Sequence, residues 1–261
     1  MAQMILRRIS AAIRRQDWVT VLIEVGIVVI GLLIGLQINN WNETRADRKK
    51  EAAFLERLTV DVDRARAQLA VFVEERERSL LSIARVENMY LGDAEIEPLS
   101  EEECTHFAGM NTITHPPVAV PSITEAFAGG RIDLLSQATL IQALITVEQS
   151  EDRLRTVIDS LQLESPVLHE KYPDAISWGR ATEIFDEVDT EVFATDGYRM
   201  AARCHFLEMP PEQAFLSDAV RGLQVNQWYV TFLNRHLERL DELAAVLDYG
   251  ATSDTEKRET D

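Results

Sequence analysis

Basic residues are scarce in this chain: 26 Lys+Arg stand against 44 Asp+Glu in 261 residues, a formal charge of −18. That deficit excludes a nucleic-acid binder, because neutralising phosphates requires a basic surface. Eleven Gly and eight Pro are too few for a collagen-like or low-complexity chain. No phosphate loop, dinucleotide fingerprint, G-x-S-x-G elbow or H-E-x-x-H spacing occurs, so no catalytic residue, metal ligand or cofactor is assigned and the chain is read as a non-enzyme. Alternating strand patterns are missing too. What remains is 46% hydrophobic and 27% charged, the composition of a folded protein long enough for one or two domains.

The apolar residues are unevenly spread. From Val19 to Ile38 the chain reads VTVLIEVGIVVIGLLIGLQI, apolar except for Thr20, Glu24 and Gln37. A helix rises about 1.5 Å per residue, so this run matches a hydrocarbon core of roughly 30 Å. Trp18 and Trp41 bracket it at the depth where aromatic side chains settle in membrane interfaces. The run exceeds a signal-peptide core, and Gln37 to Trp41 is a poor cleavage context, so the segment reads as a signal anchor that stays. Arg7, Arg8, Arg14 and Arg15 precede it and Arg45, Arg48, Lys49 and Lys50 follow it, which ties the Lys/Arg count. Long domains cross membranes largely regardless of charge, so the N-terminus is placed in the cytoplasm and the bulk of the chain outside it.

The stretch from Ile23-Glu24-Val25 through Gly31-Leu32-Leu33-Ile34-Gly35-Leu36-Gln37-Ile38-Asn39-Asn40-Trp41-Asn42-Glu43 resembles the opening of an uncharacterised bacterial family, catalogued as domain of unknown function six thousand and ninety. Pro121-Ser122-Ile123-Thr124-Glu125-Ala126-Phe127 and Gly129-Gly130-Arg131-Ile132-Asp133-Leu134-Leu135 resemble a mid-chain element of the same family. The resemblance implies a short basic tail, one membrane helix and a charged helical region, in the bacterial inner membrane. It implies no catalytic residue.

Residues 39–261 carry 22 Lys+Arg against 42 Asp+Glu, a domain that anionic headgroups would repel. Three stripes with helical spacing run through it. The first holds Leu55, Leu58, Val62, Ala65, Leu69 and Phe72 and resumes at Ile83, Val86 and Tyr90 before Gly92-Asp93 stops it. The second holds Leu140, Leu144, Val147, Leu154, Ile158 and Leu161 and ends before Pro166. The third opens after Pro210-Pro211 with Phe215, Ala219, Gly222, Tyr229, Leu233, Leu237, Leu240, Ala244 and Leu247. A shorter helix is expected within Val167–Thr195. His115 to Pro121 must be extended, Ser122 can cap a helix to Ala128, and Gly129-Gly130 is a turn. The fold class is therefore all-α, a single N-terminal transmembrane helix followed by an antiparallel helical bundle. Its parts are a basic cytoplasmic tail (1–17), the membrane helix (18–41), the acidic bundle (42–250) and a disordered end (251–261).

Chemistry is thinly signalled. Cys104 and Cys204 form an even pair that an oxidising compartment would bond, while buried thiols and a zinc site with His106 and His205 are the competing readings. Three neighbouring carboxylates, Glu101 to Glu103, disfavour a reactive thiolate at Cys104. His115, His169 and His236 show no ligand spacing. Glu101–Glu103 and Asp186-Glu187-Val188-Asp189 lack the spacing of a calcium loop and read as solvated faces. Asn226, on the third stripe, is either a pocket residue or a hydrogen-bonded core residue.

Within the membrane helix, Glu24, Gly31 and Gly35 fall within about 20° of one face, and Gly31 to Gly35 is a G-x-x-x-G. This face is expected to pack on another membrane helix, in a homo-oligomer or a partner, with Glu24 protonated or hydrogen-bonded across the contact. The chain is thus read as membrane-anchored and acting through protein interaction or as an accessory subunit, in contact with the lipid bilayer. The alternative is an extracytoplasmic module that senses or binds a small ligand.

Overall fold

A computed structural model of the chain describes residues 18–180, 200–205 and 212–259. The basic tail 1–17 and the cluster Asp186–Asp189 lie outside them. The protein is mostly helical, and it divides into two compact units, Met1–Phe54 and Leu55–Asp261.

Helix α1 spans Trp18–Leu91 and contributes to both units. No proline or glycine occurs between Gly35 and Gly92, so nothing in the backbone stops the helix at Trp41, where the membrane segment was expected to end. Local bonds such as Asn39 Nδ2 to Glu43 Oε1 (2.8 Å) and Lys50 to Asp47 (2.8 Å) line its next turns. It stops at Leu91, where the Gly92 N–H closes on the Asn88 carbonyl at 3.1 Å. In the first unit the described side chains from Leu22 to Asn42 are exposed, apart from the half-buried position of Gly26.

In the second unit the same helix buries one stripe: Leu58, Val62, Ala65, Leu69, Val73, Ile83, Val86 and Met89. Full burial of each leucine contributes roughly 1.5–3 kcal/mol. Helix α4 (Ala138–Glu164) follows the short helices α2 (Glu101–Ala108) and α3 (Pro121–Ala128). It buries Leu140, Leu144, Val147, Leu154, Ile158 and Leu161, the six residues its spacing predicts. Helix α6 (Gln213–Glu259) buries Phe215, Tyr229, Leu233, Leu240 and Leu247 among others. Contacts between α1 and α6 run in opposite sequence order: Arg66 meets Asp241 at 2.7 Å and Glu77 meets Asn234 at 2.9 Å. So do those between α4 and α6, where Ser150 meets His236 at 3.0 Å and Arg153 lies over Phe232 at 5.8 Å.

Three expectations change. Within Val167–Thr195 the described residues end at Arg180; they hold the four-residue α5 (Leu168–Lys171), a helix inside the expected range, and then strand β1 (Ile176–Arg180), which pairs antiparallel with β2 (Met200–Cys204), Ile176 opposite Cys204 and Arg180 opposite Met200. The all-α class therefore gains a two-stranded sheet. Pro173 and Gly179 make a continued helix costly here, and β2 buries adjacent Ala201 and Ala202, so it lacks the alternation that betrays a strand. Ser122 is not the cap of α3: Pro121 takes the first helical position, and the Ser122 N–H and hydroxyl both donate to the Asp61 carboxylate on α1. A carboxylate from a neighbouring helix thus sits at the α3 N-terminus. Finally, α6 continues to Glu259, past Ala251, where polar composition points to a disordered end. Extending an existing helix avoids the nucleation cost, and Glu, Lys and Arg are good helix formers.

Two glycines sit at close or special positions. Gly130 adopts φ +64° in the turn before a 3-10 turn at Arg131–Leu134. Gly222 lies directly against the Met110 thioether, which would have to move to admit a Cβ.

Candidate functional site

On α1, Glu24, Gly31 and Gly35 share one exposed side of the helix. A Cβ at Gly31 or Gly35 would meet nothing within 4 Å, so the backbone is open to close approach along this face. Trp18 opens the helix, and Trp41 is 62% exposed with the Arg45 guanidinium 5.7 Å from its ring. This is a candidate membrane span by length and composition.

Cys104 and Cys204 lie in the second unit. Cys104 is on α2, whose start is fixed by a reciprocal cap: Ser100 Oγ accepts from the Glu103 N–H at 3.1 Å, and the Ser100 N–H donates to Glu103 Oε2 at 2.9 Å. The same Glu103 pairs with Arg85, which also holds Glu97 at 2.7 Å. The α2 face meets β2, where Thr105 Oγ1 accepts from the Ala202 N–H at 3.0 Å. Cys104 and Cys204 are joined as a disulfide with Cα atoms 5.8 Å apart, within the range a bridge needs. Bonded to each other, these sulfurs are not thiolate ligands for zinc. His106 instead meets Ser82 at 3.1 Å, and His205 meets Ser177 at 2.9 Å. The S-x-x-E signature at Ser100–Glu103 is the sequence signal that marks α2, a helix the apolar stripes do not reveal.

Asn226 has a definite role. Its amide donates to the Met110 and Gly222 carbonyls, both at 2.8 Å. Around it, four other side chains satisfy the irregular strand of chain that runs between the helices. Gln162 donates to Ile113 O at 2.7 Å, Ser165 to Met110 O at 3.2 Å, Arg76 to Thr112 O at 3.2 Å, and the Tyr229 hydroxyl to Thr114 O. Buried carbonyls outside regular structure need such partners, which explains polar groups on otherwise apolar faces. Asn226 is a hydrogen-bonded core residue here.

The buried ionisable groups are similarly engaged. Burial pushes Asp218 up, but the Lys171 ammonium and the Tyr172 hydroxyl, which donates at 2.8 Å, outweigh that and hold its carboxyl below the usual range. His236 is 1% exposed, and burial lowers its pKa to about 4, with Nδ1 against Ser150 and Nε2 unpartnered. Burial likewise lowers the pKa of His106. Among the described residues, no group of three or more His, Cys, Asp or Glu is placed to hold a metal ion.

Two grooves flank α4, each of about 190 Å³. One is formed with the His115–Ala119 segment, the other with α6. In the first, the one arginine of the lining is paired: Arg155 meets Glu151 at 3.0 Å, and His115 lies 3.2 Å from Asp159. The second is lined by Arg153, Arg235 and Arg239 around Phe232.

The chain belongs to a family of unknown function (DUF6090), which matches residues 24–159. That match covers the exposed apolar part of α1 and continues through most of α4. No curated protein and no solved structure matches the chain.

Proposed function

We propose that this member of the family is a single-pass anchor protein of the bacterial inner membrane, with its N-terminus in the cytoplasm and its acidic domain outside it. The domain is an antiparallel bundle built on α1, α4 and α6, and it works by protein interaction or as an accessory subunit, without catalysis. The observation that carries this reading is the apolar first part of α1, none of which is buried among the described residues. The Cys104–Cys204 bridge supports the compartment, because disulfides persist where conditions are oxidising. In the bilayer, the Glu24, Gly31 and Gly35 face packs on a second copy or on a partner's membrane helix, with the glycines allowing close approach and Glu24 hydrogen-bonded in the contact.

Topology is tested with a reporter active only in the cytoplasm, fused after Asp261; it should stay silent, and activity there would overturn the placement. Association is tested by crosslinking in membranes of wild type, Gly31→Ile, Gly35→Ile and Glu24→Leu. Loss of the crosslinked species in the glycine variants is expected. Association indifferent to all three substitutions would leave the helix as an anchor alone.

A further inference from the structure

The groove between α4 and α6 is a cationic site in a strongly acidic domain. Thr146, Ser150 and Arg153 line it from α4, and Phe232, Arg235 and Arg239 from α6. Each triplet recurs at three and four residues, so each belongs to one helix face, and the two faces meet across the groove. The Arg153 guanidinium lies 5.8 Å from the Phe232 ring centre and that of Arg235 lies 5.4 Å from it. Among the described residues neither arginine meets a carboxylate, whereas Arg239 is engaged by Glu242 at 2.6 Å. The contrast with the neighbouring groove is one of charge: there the single arginine, Arg155, is paired with Glu151, and here two arginines remain available beside an aromatic floor. Trp228 stacks on Phe232 with ring centres 6.2 Å apart and is 57% exposed, which extends that floor outward.

We propose that this groove binds a small organic anion, a carboxylate attached to a flat apolar body. Guanidinium groups recognise carboxylates through paired, charge-assisted hydrogen bonds, and contact with the Phe232 face restricts both arginines before a ligand arrives. The carboxylate accepts from Arg153 and Arg235 while the apolar body lies along Phe232 toward Trp228. A volume of about 190 Å³ is below that of drug-sized pockets and suits a single ring. An anion drawn to an acidic protein needs a local excess of positive charge, and the unpaired arginines provide it. This site is independent of the interaction reading above, which places no ligand in the domain.

The test uses the full chain in a nonionic detergent, with para-fluorobenzoate as probe and its resonance followed by fluorine NMR. Saturable binding is expected, with para-fluorobenzamide, which lacks the charge, binding far more weakly. The double variant R153Q/R235Q should weaken para-fluorobenzoate binding by roughly tenfold or more, the loss expected for charge-assisted bonds. R155Q, in the neighbouring groove, should leave it unchanged. Both substituted arginines are exposed, and R153Q alone should show a smaller loss of the same kind if the double variant fails to fold. No binding to wild type, equal binding of acid and amide, or binding unaffected by R153Q/R235Q would overturn the proposal.

Discussion

The two parts of α1 carry apolar residues in quite different arrangements. In the first unit they surround the helix, and Leu33 is 54% exposed with similar values on every side. In the second they keep to one stripe, and Leu58 is 0% exposed. A stripe is what a helix needs when one side meets protein and the other meets water; an all-round apolar surface suits a solvent that is itself apolar. One helix therefore carries two kinds of surface, the first that of a candidate membrane span, and the change from continuous to periodic hydrophobicity marks where one gives way to the other. Stability of the second unit should depend on its buried stripe and its crosslink, while substitutions along the first should leave that stability unchanged.

The largest effect is expected from the crosslink. The bridged residues are 100 apart in sequence, and closing a loop of that length stabilises by about 4–5 kcal/mol in the chain-entropy model. Cys104→Ser with Cys204→Ser should lower the thermal midpoint of the domain sharply, and a reductant should do the same to wild type. A midpoint insensitive to both would mean that α2 and β2 are held together by packing alone. Next comes the direct comparison along α1. Leu58→Ala should cost roughly 2–5 kcal/mol, whereas Leu33→Ala should leave the domain's unfolding unchanged. Equal losses would break the division of α1 into two kinds of surface.

Much of this organisation is legible in the sequence because it rests on period. The six buried positions of α4 follow from spacing, and the ends of α1 at Leu91 and of α4 at Glu164 from the stop signals Gly92-Asp93 and Pro166. The cysteine pair is legible as chemistry, though only coordinates bring its Cα atoms to 5.8 Å. What escapes the sequence depends on partners distant in the chain. Asp61 at the start of α3 displaces Ser122 from the capping role, and nothing near Ser122 announces it. The sheet escapes because β2 buries two adjacent alanines. The cationic groove escapes because Arg153 and Arg235 read as solvent-facing charges on separate helices, and only the meeting of α4 with α6 sets them on one ring.

A third effect distinguishes the buried core by pH. An unfolded histidine takes a proton near pH 6.5, whereas burial delays protonation of His236 to about pH 4. Between these values the unfolded chain binds the additional proton, so stability falls as pH drops from about 6.5 to 4, by on the order of 3 kcal/mol. His106, also lowered by burial, acts in the same direction. His236→Asn should flatten the fall in midpoint over this window, as read by thermal melts at stepped pH. An identical pH profile in the variant would assign the fall to other groups.

The smallest effect concerns what sets the pairing of α1 with α6. Arg66 reaches Asp241 at 2.7 Å, and as a direct link between distant segments it invites the view that ion pairs fix the helices in register. Both side chains are partly open to water, however, and Arg66 is shared with Asp63 at 3.4 Å. Exposed pairs contribute about 0.2–1 kcal/mol in double-mutant cycles and are screened by salt. Apolar contacts of the same pairing, such as Phe72 edge-on to the fully buried Tyr229 with ring centres 6.4 Å apart, remove far more area from water, so the apolar stripe decides the register. A cycle of Arg66→Ala, Asp241→Ala and the double variant should give a coupling of about 0.5 kcal/mol that shrinks toward zero in molar salt. A coupling of roughly 2 kcal/mol or more, unaffected by salt, would move the determinant of register from the stripe to the pair.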